Sequence, residues 1–353
     1  MRTLRLSARH WLPIVVGAFI LGGGLVLTVR AITGSGHAGQ RSRPPAGSVD
    51  ETRNRRGSTQ GPPNAKRTTR RGNRTTTSGA AVHAWTVPPD ATATFARLER
   101  SLAGPIGVVV APLGSGPEAR FGPLQSGHAW STMKVPVLVT YDRRLAEEGH
   151  PFDNADREDA TLAIEQSDNA AIDTIFGRLE QRVDGLIPAS EEVEQTLRTS
   201  GDRLTVVNTL PNSLGFSTSG QTEWSLAASA MFYSALAKGC LLEPAQTAYI
   251  LSLMGRVVSS ERWGAGEAGF ARGLRVAFKG GWGPEPGGSY LVRQTAIIGT
   301  AGHGYVLAML AHPLGVGETS FAEGQGMLTR LARWARKTFY PSTGSGPAGC
   351  APT

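Results

Sequence analysis

Lysine is scarce in this chain. Only Lys66, Lys134, Lys238, Lys279 and Lys337 stand among 36 basic residues, and the rest are arginine. Arginine stays protonated in any protein environment, so almost none of this positive charge can take a proton from a hydroxyl. A partly buried lysine can lose its charge and serve as a base. Aromatic residues are missing between Phe19 and Trp85. A nucleic-acid surface clusters basic residues on a folded face, among aromatics, so no nucleic-acid partner is expected. Cysteine is limited to Cys240, in an apolar helical stretch, and Cys350, in a Gly/Pro/Ser tail. Cys240 reads as a small core residue, and no bridge between the two is expected. The 7 histidines show no metal-ligand spacing, so neither metal nor cofactor is expected.

The charge is divided along the chain. Residues 1–80 hold 14 basic and 2 acidic residues, and residues 81–353 hold 22 and 26. The net charge of +8 therefore belongs to the N-terminal part, and the remainder is mildly acidic. Trp11 to Val29 is an uncharged apolar run of about the length that spans a bilayer as a helix. Residues 1–10 are expected as a cytoplasmic stub and 11–29 as an uncleaved anchor in the lipid bilayer. The competing reading is a secretory signal, but no Ala-x-Ala site follows and the run is long for a signal core. Residues 30–83 are rich in Gly, Ser, Thr, Pro and Arg and cannot bury enough surface to offset their ordering entropy, which predicts a disordered tether. Its arginines could hold anionic wall polymers. Residues 341–353 read as a disordered tail.

The folded part spans about 84–340. Thr94–Leu102 reads as a helix, and Ile106–Ala111 with Ala119–Phe121 as a hairpin across a Gly-Ser-Gly turn. Ser131–Glu148 is helical and nearly all apolar through Tyr141, which predicts a central helix ended by Gly149. Further helices are expected at 156–166, 170–179, 191–198, 223–238 and 244–255. The period then changes to two, predicting strands at 274–278, 290–298 and 305–311, and a closing amphipathic helix at 318–337. Strands at both ends enclosing helices predict an α+β domain, in which terminal helices flank a mainly antiparallel five-stranded sheet and a helical subdomain is inserted.

Three short motifs lie on this scaffold. Ser131-Thr132-Met133-Lys134 places a hydroxyl and an amine at i and i+3, on one face of a helix start. A serine is a poor nucleophile until a base takes its proton, and Lys134 is one turn away. Ser167-Asp168-Asn169 falls between two helices, where an N-cap is the plain alternative. Lys279-Gly280-Gly281 closes a strand-like run. Each motif alone is weak, but all three occur in order on a helix start, an interhelical loop and a late strand.

With these motifs, residues 84–340 resemble the penicillin-binding protein and serine β-lactamase superfamily, nearest its class A β-lactamase-like branch. The resemblance implies an acyl-serine hydrolase on the outer face of a bacterial cell, taking a β-lactam or a D-Ala-D-Ala-like peptidoglycan stem peptide. It implies Ser131 as nucleophile, Lys134 as its base and Ser167 as proton relay to the leaving nitrogen. Asn169 would hold the substrate amide, and Lys279, Gly280 and Gly281 would line the substrate strand, Lys279 placing a carboxylate. Backbone N–H groups of Ser131 and Trp282 would form the oxyanion hole.

The chain departs from the family pattern at three places, one of them the short spacing of Ser131 and Ser167, 36 residues apart, which implies a helical subdomain trimmed on that side. The position after the motif lysine usually carries a hydroxyl that binds the substrate carboxylate, and here it is Gly280. Residues 198–222 contain no glutamate to activate a deacylating water, and their only acid is Asp202. Efficient β-lactam turnover is therefore not expected. A wall-binding or β-lactam sensor that kept the cleft and lost turnover is the alternative.

Overall fold

In the computed structural model of the chain, residues 85–210, 216–339 and 349–350 are described. The expected span at 11–29, the tether at 30–83 and most of the tail at 341–353 lie outside them. Among the described residues no helix is long and apolar enough to cross a membrane.

Five antiparallel strands form one sheet in the order β2-β1-β7-β6-β5. They are β1 (Ile106–Pro112), β2 (Ala119–Phe121), β5 (Val276–Pro284), β6 (Tyr290–Thr300) and β7 (His303–Ala311). The central strands are buried on both faces, which explains their continuous Val, Ile, Leu and Ala runs. One face packs on α1 (Ala91–Glu99) and α8 (Gly317–Phe339), through Phe95, Leu328, Leu331 and Trp334. The other face meets α2 (Lys134–Glu147) and α6 (Leu226–Ala237) within a larger apolar cluster. Around α2 gather α3 (Asn154–Glu165), α4 (Asn169–Val183), α5 (Leu186–Thr199) and α7 (Pro244–Gly255). This helical insertion, between a hairpin and the late strands, matches the expected α+β arrangement.

Local chemistry sets several boundaries. Asp153 and Asp156 form a reciprocal capping box that starts α3, satisfying two backbone donors. Asp184, at φ 64°, and Gly185 stop α4, so α5 begins at Leu186, five residues before the expected start. The first helix likewise runs Ala91–Glu99 rather than 94–102, because it opens just after Pro88 and Pro89.

Two expectations are corrected. Residues 223–225 are not helical. They form β4 (Glu223–Ser225), which pairs with β3 (Ser126–His128), so that Glu223 faces His128. The helix starts at Leu226 instead, with the Ser225 hydroxyl accepting from the Ala228 amide at 3.1 Å. Three residues are too few to show a period, and the pairing spans about a hundred positions, so tertiary contact decides here. The second correction is the cysteine pair: Cys240 and Cys350 are joined by a disulfide.

A buried arginine knits the small sheet to the large one. Arg293 on β6 is 0% exposed, and its Nη1 donates to the carbonyls of Gly127, His128 and Trp224 at 3.0–3.1 Å. Burial lowers its guanidinium to about 10. These contacts hold the chain just before Ser131.

Candidate active site

Ser131 lies in a 3-10 turn, Trp130–Met133, that runs directly into α2. Trp130 is held at φ 46°, an outlier for a bulky residue that costs on the order of 1–3 kcal/mol and clusters at functional sites. Its indole is buried against Phe216 and His128. Lys134, one turn beyond Ser131, is 2% exposed. Its amine donates to the Ser167 carbonyl and, at 2.8 Å, to Asn169 Oδ1.

Ser167 is the junction. It too has a left-handed backbone, φ 60°. Its carbonyl meets Lys134, while its hydroxyl accepts from Lys279 Nζ at 2.7 Å. Asp168 caps α4, its Oδ1 accepting from the Ala171 amide at 2.8 Å. The plain N-cap reading of this motif is therefore met by Asp168, while Ser167 and Asn169 turn to the two lysines. With Oδ1 engaged by Lys134, the Asn169 amide keeps its NH₂ group for a ligand carbonyl.

Both lysines are displaced from their ordinary range. Burial, and after it the charge of Lys279, lowers the Lys134 ammonium from 10.5 to about 6. The carboxylates of Asp168, Asp173 and Glu261 oppose this. Burial lowers Lys279 to about 8, against the pull of Glu261. Ionised groups lose solvation inside a protein, so the neutral amines are favoured. Asp173 and Glu261, absent from the expected site, become visible only through these fields. Asp173 stands one turn after Asn169 on α4; partial burial of its carboxyl raises it, and after that the charge of Lys134 lowers it.

The edge strand β5 comes against the serine turn at Gly281. A Cβ there would lie 2.8 Å from the Ser131 amide nitrogen and 2.9 Å from that of Thr132, so only glycine permits this approach. The approach brings Trp282, the next residue, beside the start of the turn. Gly280 points to the opposite face, where Trp263 fills the space. A Cβ at 280 would sit 2.4 Å from Trp263 Cζ2. Gly280→Thr is therefore expected to overpack this contact and lower stability by about 1–3 kcal/mol. Thermal unfolding checks it, and Trp263→Ala in the same chain should remove most of the clash.

Asp202 does not face the site. It is 2% exposed, and its carboxylate accepts from Trp224 Nε1 at 3.1 Å and from the Leu204 and Thr205 amides at 3.2 Å. Glu191 and Glu192 lie within α5, and Glu194 accepts from Arg198 and the Val207 amide. His128 is paired with Glu285 at 3.0 Å.

Solved structures share this fold. They include a β-lactamase from Xanthomonas campestris pv. campestris, 20% identical over 70% of this chain and 97% of that one, TM-score 0.53. A class A β-lactamase from Mycobacterium abscessus is 20% identical, covering 70% and 99%, TM-score 0.55. A reconstructed ancestral class A β-lactamase is 18% identical, covering 70% and 100%, TM-score 0.54. At such identities the likeness is one of fold. No curated protein sequence matches the chain. The family described as "Beta-lactamase enzyme family" matches residues 157–339, which take in the Ser167 and Lys279 motifs and follow Ser131 and Lys134. That match spans just over half of the chain, and the chain belongs to the beta-lactamase enzyme family.

Proposed function

We propose that this protein is a serine acyl-enzyme hydrolase of the beta-lactamase family, acting on β-lactams or D-Ala-D-Ala-like stem peptides. The observation that carries the reading is the Lys134–Ser167–Lys279 junction, with Asn169 on the same amine, one turn from Ser131. A buried Lys134 near pKa 6 is neutral at pH 7 and can take the Ser131 proton. Ser131 Oγ then bonds to the acyl carbon, and the amides of Ser131 and Trp282 receive the developing oxyanion. Ser167 passes a proton to the departing nitrogen, which breaks the acyl C–N bond and leaves an ester on Ser131. Lys279, still protonated at pH 7, supplies the positive field that a substrate carboxylate would meet. Water completes the cycle by hydrolysing the ester.

Deacylation is the slow step in this reading. Residues 198–222 offer no glutamate, and Asp202 is occupied by Trp224 and two amides. A long-lived benzylpenicillin adduct, found by intact mass and mapped to the peptide holding Ser131, is the expected result. Absence of both adduct and turnover with benzylpenicillin, a chromogenic cephalosporin and D-Ala-D-Ala peptides would sink the proposal. The same poor supply of a deacylating carboxylate favours one second reading, a wall- or β-lactam-binding sensor that kept the cleft and lost turnover. A Ser131→Ala strain with full cellular function would select a sensor that needs no acylation.

Asp173 gives a finer check. Its negative charge favours protonated Lys134, so Asp173→Asn should lower the Lys134 pKa further. The acid limb of the acylation rate then moves to lower pH. An unmoved limb would show that Lys134 is not the titrating base.

We further propose that the domain lies outside the cytoplasm, with residues 11–29 as its anchor. The Cys240–Cys350 bridge supports an oxidising compartment. Protease accessibility on intact spheroplasts tests this. Protection of the domain until lysis would reverse the placement.

A further inference from the structure

The segment between α7 and β5 walls a cavity of about 580 Å³, within the range of small-molecule sites. Leu251, Phe270 and Val276 are among its apolar lining residues, and three arginines line it: Arg262, Arg272 and Arg275. No aspartate or glutamate is among the lining residues. Nor does any of these three guanidinium groups take part in an ion pair or side-chain hydrogen bond, among the described residues. Arg256, a few residues earlier, shows the ordinary alternative: it is bound to Glu165 at 2.7 Å and to the Ser252 hydroxyl at 2.9 Å. Arg262 rests its guanidinium 6.0 Å from the Phe278 ring centre, and Arg272 and Arg275 are exposed. Three like charges set around one hollow repel each other, and among the described residues no carboxylate is paired with them.

We propose that this cavity is a binding site for an anion carrying two or more phosphate or carboxylate groups. The guanidinium fork matches either oxyanion through paired N–H donors. Arg262 directly precedes Trp263, the side chain packed on Gly280, and Val276 opens β5, so the cavity adjoins the strand that carries Lys279 while Lys279 itself is not among its lining residues. The proposal stands apart from the acyl-serine reading and needs no turnover to be tested.

Isothermal titration of the full chain at low ionic strength, with tripolyphosphate, citrate and long-chain polyphosphate, provides the test. Three proteins are compared: wild type, Arg272→Gln/Arg275→Gln, and a variant with Arg53, Arg55, Arg56, Arg70 and Arg71 changed to Gln. One-to-one tripolyphosphate binding is expected in wild type and in the N-terminal variant, with affinity about tenfold or more weaker in the cavity variant. Arg272 and Arg275 make no ion pair or side-chain hydrogen bond among the described residues, so the cavity variant should melt with wild type. If it does not, Arg272→Lys/Arg275→Lys, which keeps charge and loses the fork, replaces it and should weaken binding severalfold. Citrate binding with equal loss in the cavity variant means the site reads multiple charge in a small molecule. Binding of the long polymer alone, still lost in the cavity variant, means the source is an anionic polymer. Equal affinity in wild type and cavity variant, or loss confined to the N-terminal variant, overturns the proposal, since anion binding then belongs to residues 53–71.

Discussion

Lys134→Arg is expected to lower the rate of Ser131 acylation by about a thousandfold or more, although it preserves the formal charge. General-base assistance contributes roughly 10²–10⁴ in rate, and arginine cannot supply it because it does not deprotonate. Lys134→Ala should lose as much, and Ser131→Ala should abolish the adduct. Stopped-flow acylation or time-resolved intact mass measures all three. The pH dependence carries the sign of the argument. Lys134 must be neutral, so acylation rises as pH increases through about 6. Lys279 must stay protonated to attract a carboxylate, so the rate falls above about 8. The two lysines interact, so these limbs belong to the pair. An arginine variant that retains the wild-type rate, or a flat profile between pH 5 and 7, would remove Lys134 from the role of base.

Cys350→Ser should lower stability by about 2–4 kcal/mol while leaving acylation at 25 °C unchanged. The bridge spans a sequence separation of 110, and cross-linking a long loop restricts the unfolded chain. For a domain of this size the corresponding fall in Tm is about 4–16 °C. Wild type melted in dithiothreitol should show the same fall, because Cys350 is exposed to reductant. Equal melting temperatures for wild type, Cys350→Ser and the reduced protein would mean that the bridge constrains little. The rate of Ser131 acylation serves as the control, since Cys240 follows α6, outside the elements that carry Ser131, Lys134, Ser167 and Lys279.

These two predictions draw on different parts of the sequence. Ser131 and Lys134 were readable together because one helical turn joins them, and helical geometry is local. The strands were readable where β-branched runs or a period of two extended over six or more residues, as at Ile106–Ala111 and Tyr290–Ile298. β3 and β4 escaped notice because three residues cannot display a period. The disulfide escaped because nothing in the tail's composition says where it returns. Asp202 looked available as the lone acid of its stretch, and only the folded chain shows its carboxylate taken by Trp224.

By itself, then, the sequence determined the order of the motifs, the class of fold and the presence of a nucleophile with a base at helical spacing. These follow from local geometry and from the pattern of apolar residues. Tertiary structure decided which amines lose their protons, because Lys134 and Lys279 are displaced by burial that no single segment encodes. It also decided that Ser167 joins them, across a separation of 112 residues on the Lys279 side, and that Trp263 occupies the space beside Gly280. Contacts between distant positions depend on how whole layers pack, and burial then sets the charge state of the groups they enclose.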